Sequence, residues 1–361
     1  MILPLSNMKL PSFLPVWILL LSIMPLGAHA AEVKAPTPKR PTVTTSLVGV
    51  AKPLGFDLMG PFVNLPDGRV LAVDGNSVRT SSDEGKTWSE PVALFPVGIN
   101  LEVRPERAMT VSSDGTVVLV FIDNLDRVWR WVAGDMKVLQ QNTLNVWSVR
   151  STDGGRTWTD LQMIQSGYCG AIRDMVVTRD DRIVVTSQLL LPHVSRHATI
   201  THITSDNGKT WQASNILDVW DKAGDHAGGF EPTLIQQNDG RLRMLIRTNH
   251  RFFWEAWSSD GISWTGLAPS TIGAAHAPGL LKRLASGRQV LIWNAVYGQR
   301  TSLHIAISED DGTTWSPPHE IAKGGRVSYP YMLERRPGEL WITSMQGNLR
   351  AKVREADLLK P

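Results

Sequence analysis

The chain has 361 residues, 37 Lys and Arg against 34 Asp and Glu, and a formal net charge of +3. That near-neutral balance, with no basic run longer than two residues, argues against nucleic acid as a partner. Its single cysteine, Cys169, forbids an internal disulfide and reads as a buried small side chain.

In chain order, Lys9 precedes an apolar stretch from Phe13 to Leu26, and the segment closes on Ala28-His29-Ala30. Charged start, short apolar centre and small residues at the cut are the layout of a secretory signal. The apolar stretch has roughly 14 residues and two prolines, against about 20 residues needed to span a bilayer. Residues 1–30 are therefore expected to be a signal peptide cut after Ala30, leaving no integral membrane segment and a periplasmic or extracellular protein. Residues 31–45, with Pro36, Pro38 and Pro41 among Lys, Arg and Thr, read as a linker. Residues 46–361 are expected to form one domain, a length all-β folds accommodate.

Within that domain one signature recurs: SSDEGKTW at 81–88, STDGGRTW at 151–158, TSDNGKTW at 204–211, SSDGISW at 258–264 and SEDDGTTW at 308–315. The closing tryptophans, Trp88, Trp158, Trp211, Trp264 and Trp315, are separated by 70, 53, 53 and 51 residues. Each type has a local task. The aspartate bonds backbone groups across a tight turn, the glycine takes a conformation closed to side chains with a Cβ, and the tryptophan packs under the hairpin. Six further turns alternate with these boxes, at Pro66-Asp67-Gly68, Ser113-Asp114-Gly115, Asp180-Asp181, Asn238-Asp239-Gly240, Ser286-Gly287 and Pro337-Gly338. Short apolar strands flank each of them. Six repeats of strand, turn, strand, loop, strand, box, strand predict an all-β, six-bladed β-propeller. The last blade has no box and is expected to close the ring by borrowing a strand from residues 42–50. The boxes themselves are expected to be structural.

Ligands of propellers bind at the axial mouth, where innermost strands begin. Counting back nine residues from each turn glycine, or from Asp181, gives Met59, Glu106, Ile172, Glu231, Pro278 and Tyr329. Glu231 and Tyr329 stand out, each before a proline, on blades that flank one side of the mouth.

The box resembles the Asp-box (BNR repeat) of the sialidase, or neuraminidase, superfamily, and the resemblance extends over roughly 55–350. In that family a glutamate opens the blade-4 strand and an arginine follows sixteen residues later, as Glu231 and Arg247 do here. A further arginine before the last box and a tyrosine after it are matched by Arg300 and Tyr329. The resemblance implies an exo-glycosidase for a terminal acidic sugar, with no cofactor. Tyr329 would be the nucleophile, Glu231 would take its proton, and Arg247 and Arg300 would bind the substrate carboxylate. An anionic nucleophile would be repelled by that carboxylate, whereas a phenol is not, and guanidinium is charged at any working pH. Two family features are replaced. Leu58-Met59-Gly60-Pro61 stands where the family opens blade 1 with Arg-Ile-Pro, and Asp74-Gly75-Asn76-Ser77 where it carries a long loop with a catalytic aspartate. Arg104, Glu106, Arg107, Arg173 and Asp174 start nearby inner strands and are the available substitutes.

Alternative readings are a lyase for uronate-containing polysaccharide and a non-catalytic carbohydrate-binding propeller. His193, His197 and His202 are expected to hold no metal. His226 and His276 border the expected mouth as proton carriers, and Asp123 and Asp126 read as a solvated turn. Trp220, Phe252, Phe253 and Trp254 are open to either sugar stacking or packing.

Overall fold

The computed structural model describes residues 44–220 and 224–360. The expected signal peptide and most of the expected linker lie outside the described residues. Among the described residues no helix is long and apolar enough to cross a membrane.

The chain builds six antiparallel sheets in succession. Their innermost strands are Phe62–Asn64, Val103–Val111, Met175–Val177, Phe230–Gln236, Leu280–Arg283 and Ser328–Arg336. Each neighbours the next, and the last neighbours the first, so the sheets are blades of a closed ring and the six-bladed expectation is met. Every predicted turn separates the first two strands of a blade, and every box separates the third from the fourth.

Packing explains the composition of the strands. Second strands are buried through their middle, and Val117–Asp123 and Leu242–Arg247 along their whole length. A strand sandwiched between neighbouring blades meets apolar surface on both faces, so it reads as an uninterrupted apolar run. Six hydrophobic clusters result, one at each blade interface. The one that joins blade 6 to blade 1 contains Leu333 and Trp341 with Phe62, Val70 and Ala72.

Ring closure differs from the expected form. Blade 6 takes its fourth strand from Lys52–Pro53, which pairs with Arg350–Arg354. Ser46–Leu47, inside the expected segment 42–50, instead adds a fifth strand to blade 5 against His319–Lys323. The chain passes between the sheets through a turn closed by Ala51 N–H donating to Val48 O at 3.2 Å, and Ala51 is buried in the core shared by both blades. A proline is tolerated in this strand because it lies on the sheet edge.

The boxes share one hydrogen-bond pattern. In the second, Asp153 Oδ1 accepts from Thr157 N and Arg156 N at 2.9 Å, while Oδ2 accepts from the Thr157 hydroxyl at 2.6 Å. Gly155 N donates to Ser151 Oγ at 2.9 Å. The shortened fourth box keeps the carboxylate role, Asp260 accepting from Ile262 N and Ser263 N at 2.8 and 2.7 Å. Boxes also contact turns of neighbouring blades, as where Asn207 donates to Asp114 at 2.7 Å. Turns and boxes thus occupy one face, and the loops between second and third strands occupy the other.

Candidate functional site

The face opposite the boxes carries a cleft of about 740 Å³, lined by residues of blades 2 to 6. Glu231, Arg247, Arg300 and Tyr329 all line it. Glu231 and Tyr329 open the innermost strands of blades 4 and 6 and adopt φ values of +52° and +63°. A side chain with a Cβ rarely takes this region, and a following proline disfavours it further, so both positions store strain of about 1–3 kcal/mol. In blade 4 the strain coincides with a register shift between Phe230 and Thr233. Gln188 Oε1 holds the turned backbone by accepting from Glu231 N at 3.0 Å.

The side chains meet at the mouth. Tyr329 donates its hydroxyl to Glu231 Oε1 at 2.7 Å. Arg247 Nη1 donates to Glu231 Oε2 and, at 3.2 Å, to the Tyr329 oxygen. Arg300 lies with its Cζ 5.5 Å from the Tyr329 ring centroid and donates Nη2 to His276 O. Glu231 and Arg247 are buried, Arg300 half-buried.

Burial pushes the Glu231 carboxyl upward, but the Arg247 charge and the bonds from Arg247 and Tyr329 outweigh it and hold the group below its ordinary range. Burial and then the Glu231 charge raise the Tyr329 phenol, opposed by Arg247 and Arg300. A protonated phenol therefore faces an ionised carboxylate, the arrangement of a nucleophile with its base. Arg300 faces the same cleft with a guanidinium that no carboxylate pairs among the described residues.

The two replaced family features are replaced in space as well. Blade 1 contributes backbone at its opening: Gly60 O accepts from Arg107 Nη2 at 2.8 Å. Asp74 is paired with Arg79 at 2.8 Å across its own hairpin and does not line the cleft. Among the described residues the cleft-lining carboxylates are Glu231 and Asp225, and Asp225 accepts from His226 Nδ1 at 2.8 Å.

The named substitutes divide. Arg104 lines the cleft and pairs with Glu106 at 3.1 Å. Arg107 and Asp174 bind neighbouring blades together, Asp174 bonding Lys282, Thr233 and Leu234 N. Arg173 is buried beneath the mouth, 5.1 Å from the Tyr329 ring centroid and 4.9 Å from that of Tyr331. It donates to Pro330 O at 2.8 Å, while its Nε and Nη1 have no partner.

His193 lies in a turn, whereas His197 and His202 lie on Arg196–Thr204 and bond Asp225 O and Gln165 Oε1 at 2.8 and 2.9 Å. Among the described residues no group of three or more His, Cys, Asp and Glu could hold a metal. His226 and His276 line the cleft, and Cys169 is buried. Asp123 departs from the solvated turn expected: it is buried and accepts from Glu102 N and Leu125 N at 2.9 and 3.1 Å, because it anchors the loop that follows. Trp220 is 84% exposed and Phe253 fully packed, and neither lines the cleft. The aromatic lining comes instead from Trp129, Tyr168 and Phe230. Its sequence signal is the box interval of 70 residues, long because blade 2 carries an extended loop between Val117–Asp123 and Val146–Ser151.

Comparison with known proteins places the chain in a family. The BNR repeat-like domain description matches residues 77–342. A curated sialidase of Bacteroides fragilis (strain YCH46) is 24% identical over 266 residues, which cover 67% of this chain and 48% of the relative. The chain thus spans about half the length of the curated relative it matches. Among solved structures, a Hadza microbial sialidase superposes with a TM-score of 0.64 at 16% identity, covering 84% of this chain and 68% of that one. The α-L-arabinofuranosidase of Fusarium graminearum, solved as a mutant with an iminosugar inhibitor, superposes with a TM-score of 0.58 at 13% identity, covering 86% and 100%.

Proposed function

Because the chain belongs to the BNR repeat-like domain family, we propose that it is an exported glycoside hydrolase that releases a terminal acidic sugar. The observation that carries this reading is the 2.7 Å bond from the Tyr329 hydroxyl to Glu231, set in a cleft with Arg247 and Arg300. Arg247 and Arg300 hold the substrate carboxylate. The Tyr329 oxygen attacks the anomeric carbon as its proton passes to Glu231, and the bond to the leaving oxygen breaks, that oxygen departing as an anion that takes a proton from solvent. Water then attacks the same carbon and gives one proton to solvent, while the phenol leaves and recovers the proton from Glu231. Export to the periplasm or exterior rests on residues 1–30.

A non-catalytic carbohydrate-binding role is the second reading. It is favoured by Asp74, which is held by Arg79 outside the cleft and so offers no proton to a leaving group. An aryl glycoside of an acidic sugar separates the two, because its aglycone departs without protonation. We expect turnover of the aryl substrate, abolished by Tyr329→Phe with sugar binding retained. Arg247→Ala should instead weaken binding by roughly 2–5 kcal/mol, since it removes one partner of a desolvated charge pair. Sugar binding without release of any aryl aglycone would establish the second reading.

A further inference from the structure

One wall of the cleft is built of rings. The Arg247 guanidinium lies 4.4 Å from the Phe230 ring centroid, and Phe230 lies 5.3 Å from His197. His197 is followed by Tyr168 at 5.7 Å and by Trp129 at 6.2 Å, the latter at an interplanar angle of only 15°. Trp129 packs on Tyr168 at 4.5 Å and on Trp131 at 5.6 Å. The wall thus begins at the carboxylate clamp and runs outward to the blade-2 loop. Phe230 and His197 are buried at its inner end, whereas Trp129, Trp131 and Tyr168 are half-buried and present ring surface.

The outer end is also cationic, for a backbone reason. Val128 pairs with Thr143 in an antiparallel bridge, so the chain is extended at Val128. In an extended segment alternate side chains share a face. Arg127 and Trp129 flank Val128, and both line the cleft. Arg127 is exposed and has no side-chain partner among the described residues. Arg104 stands near it, occupied by Glu106 and by Asn124 at 2.9 Å. Burial, then Cys169, raise the Tyr168 phenol, and the charges of Arg104 and Arg127, both of which line the cleft, oppose them.

One buried group has no use in the reaction above. His197 is 4% exposed, its Nε2 is bonded to Asp225 O, and its Nδ1 has no partner. Burial pushes this imidazole down to about 4, so it is neutral and Nδ1 is a free acceptor at the back of the wall. Finally, a cleft of about 740 Å³ lies in the upper part of the roughly 300–1,000 Å³ range of drug-sized pockets, more than one sugar ring requires.

We propose that the Trp129–Tyr168 wall with Arg127 is a second sugar subsite, and that its ligand is an oligosaccharide with anionic groups on two successive sugars. The second ring stacks its C–H face on Trp129, and its carboxylate or sulfate faces Arg127. This placement rests on the glycosidase reading, which puts the terminal sugar at Arg247 and Arg300.

The test is titration calorimetry on Tyr329→Phe protein, in which turnover is prevented. The probes are an acidic monosaccharide and four disaccharides that share it as terminal sugar. Their second sugars are neutral, carboxylated, sulfated, or carboxylated but reduced to the alcohol. The carboxylated or sulfated disaccharide should bind about tenfold more tightly than the neutral one, and whichever does so identifies the anion. In Trp129→Ala and Arg127→Ala backgrounds that ratio should fall to about one; Arg127, being exposed, can be replaced without disturbing the fold. A ratio near one in the parent, or a ratio that survives both substitutions, overturns the subsite. Monosaccharide binding with no disaccharide advantage sinks this inference alone. A disaccharide advantage that depends on Arg127 but is indifferent to Arg247→Ala sinks the glycosidase placement and leaves the subsite standing.

Discussion

Arg247 and Glu231 form a buried ion pair in which each partner makes the other tolerable. Glu231→Gln would leave the Arg247 guanidinium buried without a counter-charge, and unfolding in denaturant should show a loss of about 3–5 kcal/mol at neutral pH. The folded Glu231 carboxyl is held below its ordinary value, so its stabilising contribution is present above the unfolded pKa and is lost as pH falls through the folded one. The gap between parent and Gln variant should therefore narrow on acidification. Arg173 lends itself to a gentler change. Its charge helps keep Glu231 ionised, yet Nε and Nη1 have no partners to abandon. With Arg173→Met, Glu231 should protonate at higher pH, so the acid limb of the kcat/KM profile for the aryl glycoside should move upward. Movement in the opposite direction would contradict this electrostatic role.

At the scale of the hairpin, the five boxes act as clamps whose chemistry is legible one residue at a time. The carboxyls of Asp153 and Asp206 are lowered to about 2: burial raises each, but bonds from the threonine four residues on and from nearby donors prevail. Such a group stabilises the fold above its unfolded pKa near 4 and loses that effect as pH falls toward 2. Asp153→Asn should lower stability by about 1–3 kcal/mol at neutral pH, toward the lower end because the site is near solvent. The deficit should vanish near pH 2, a sign that urea titrations across pH would reveal. Trp264, at 3% exposure, also donates Nε1 to Thr201 Oγ1 at 2.9 Å, so Trp264→Ala should cost about 3–5 kcal/mol through the cavity left between blades 3 and 4. Sugar affinity of the folded remainder should persist in both variants, because the boxes lie on the face opposite the cleft.

At the scale of the whole ring, completion of blade 6 depends on two residues. Lys52–Pro53 covers the edge strand Arg350–Arg354 of the blade that supplies Tyr329. Removal of residues 1–55 should expose that edge, and that of blade 5 once Ser46–Leu47 is lost. An open edge pairs with other chains. The shortened protein should melt at lower temperature and self-associate in light scattering, and an unaltered monomer with an unaltered melt would show that closure lies elsewhere.

Much of this molecule is written locally. Box and turn each occupy fewer than ten residues whose types dictate a conformation, so blade number and strand order follow from their repetition along the chain. Glu231 and Tyr329 are legible because a fixed offset from those turns selects the strand ends at the axis, whereas Arg247 and Arg300 are legible only through the resemblance to the sialidase family. Other features have no local signature. The closing strand is two residues long and carries no pattern, so only the finished ring decides that Lys52–Pro53, and not residues 42–50, completes blade 6. Arg107, Arg173 and Asp174 lie within two residues of the positions that the same offset selects in blades 2 and 3, yet neighbouring blades turn them to carbonyls, rings and a lysine. The aromatic wall draws on blades 2, 3 and 4, and which rings face one another depends on how loops from separate blades converge over the axis. Local chemistry determined the blades; contacts between blades decided the site.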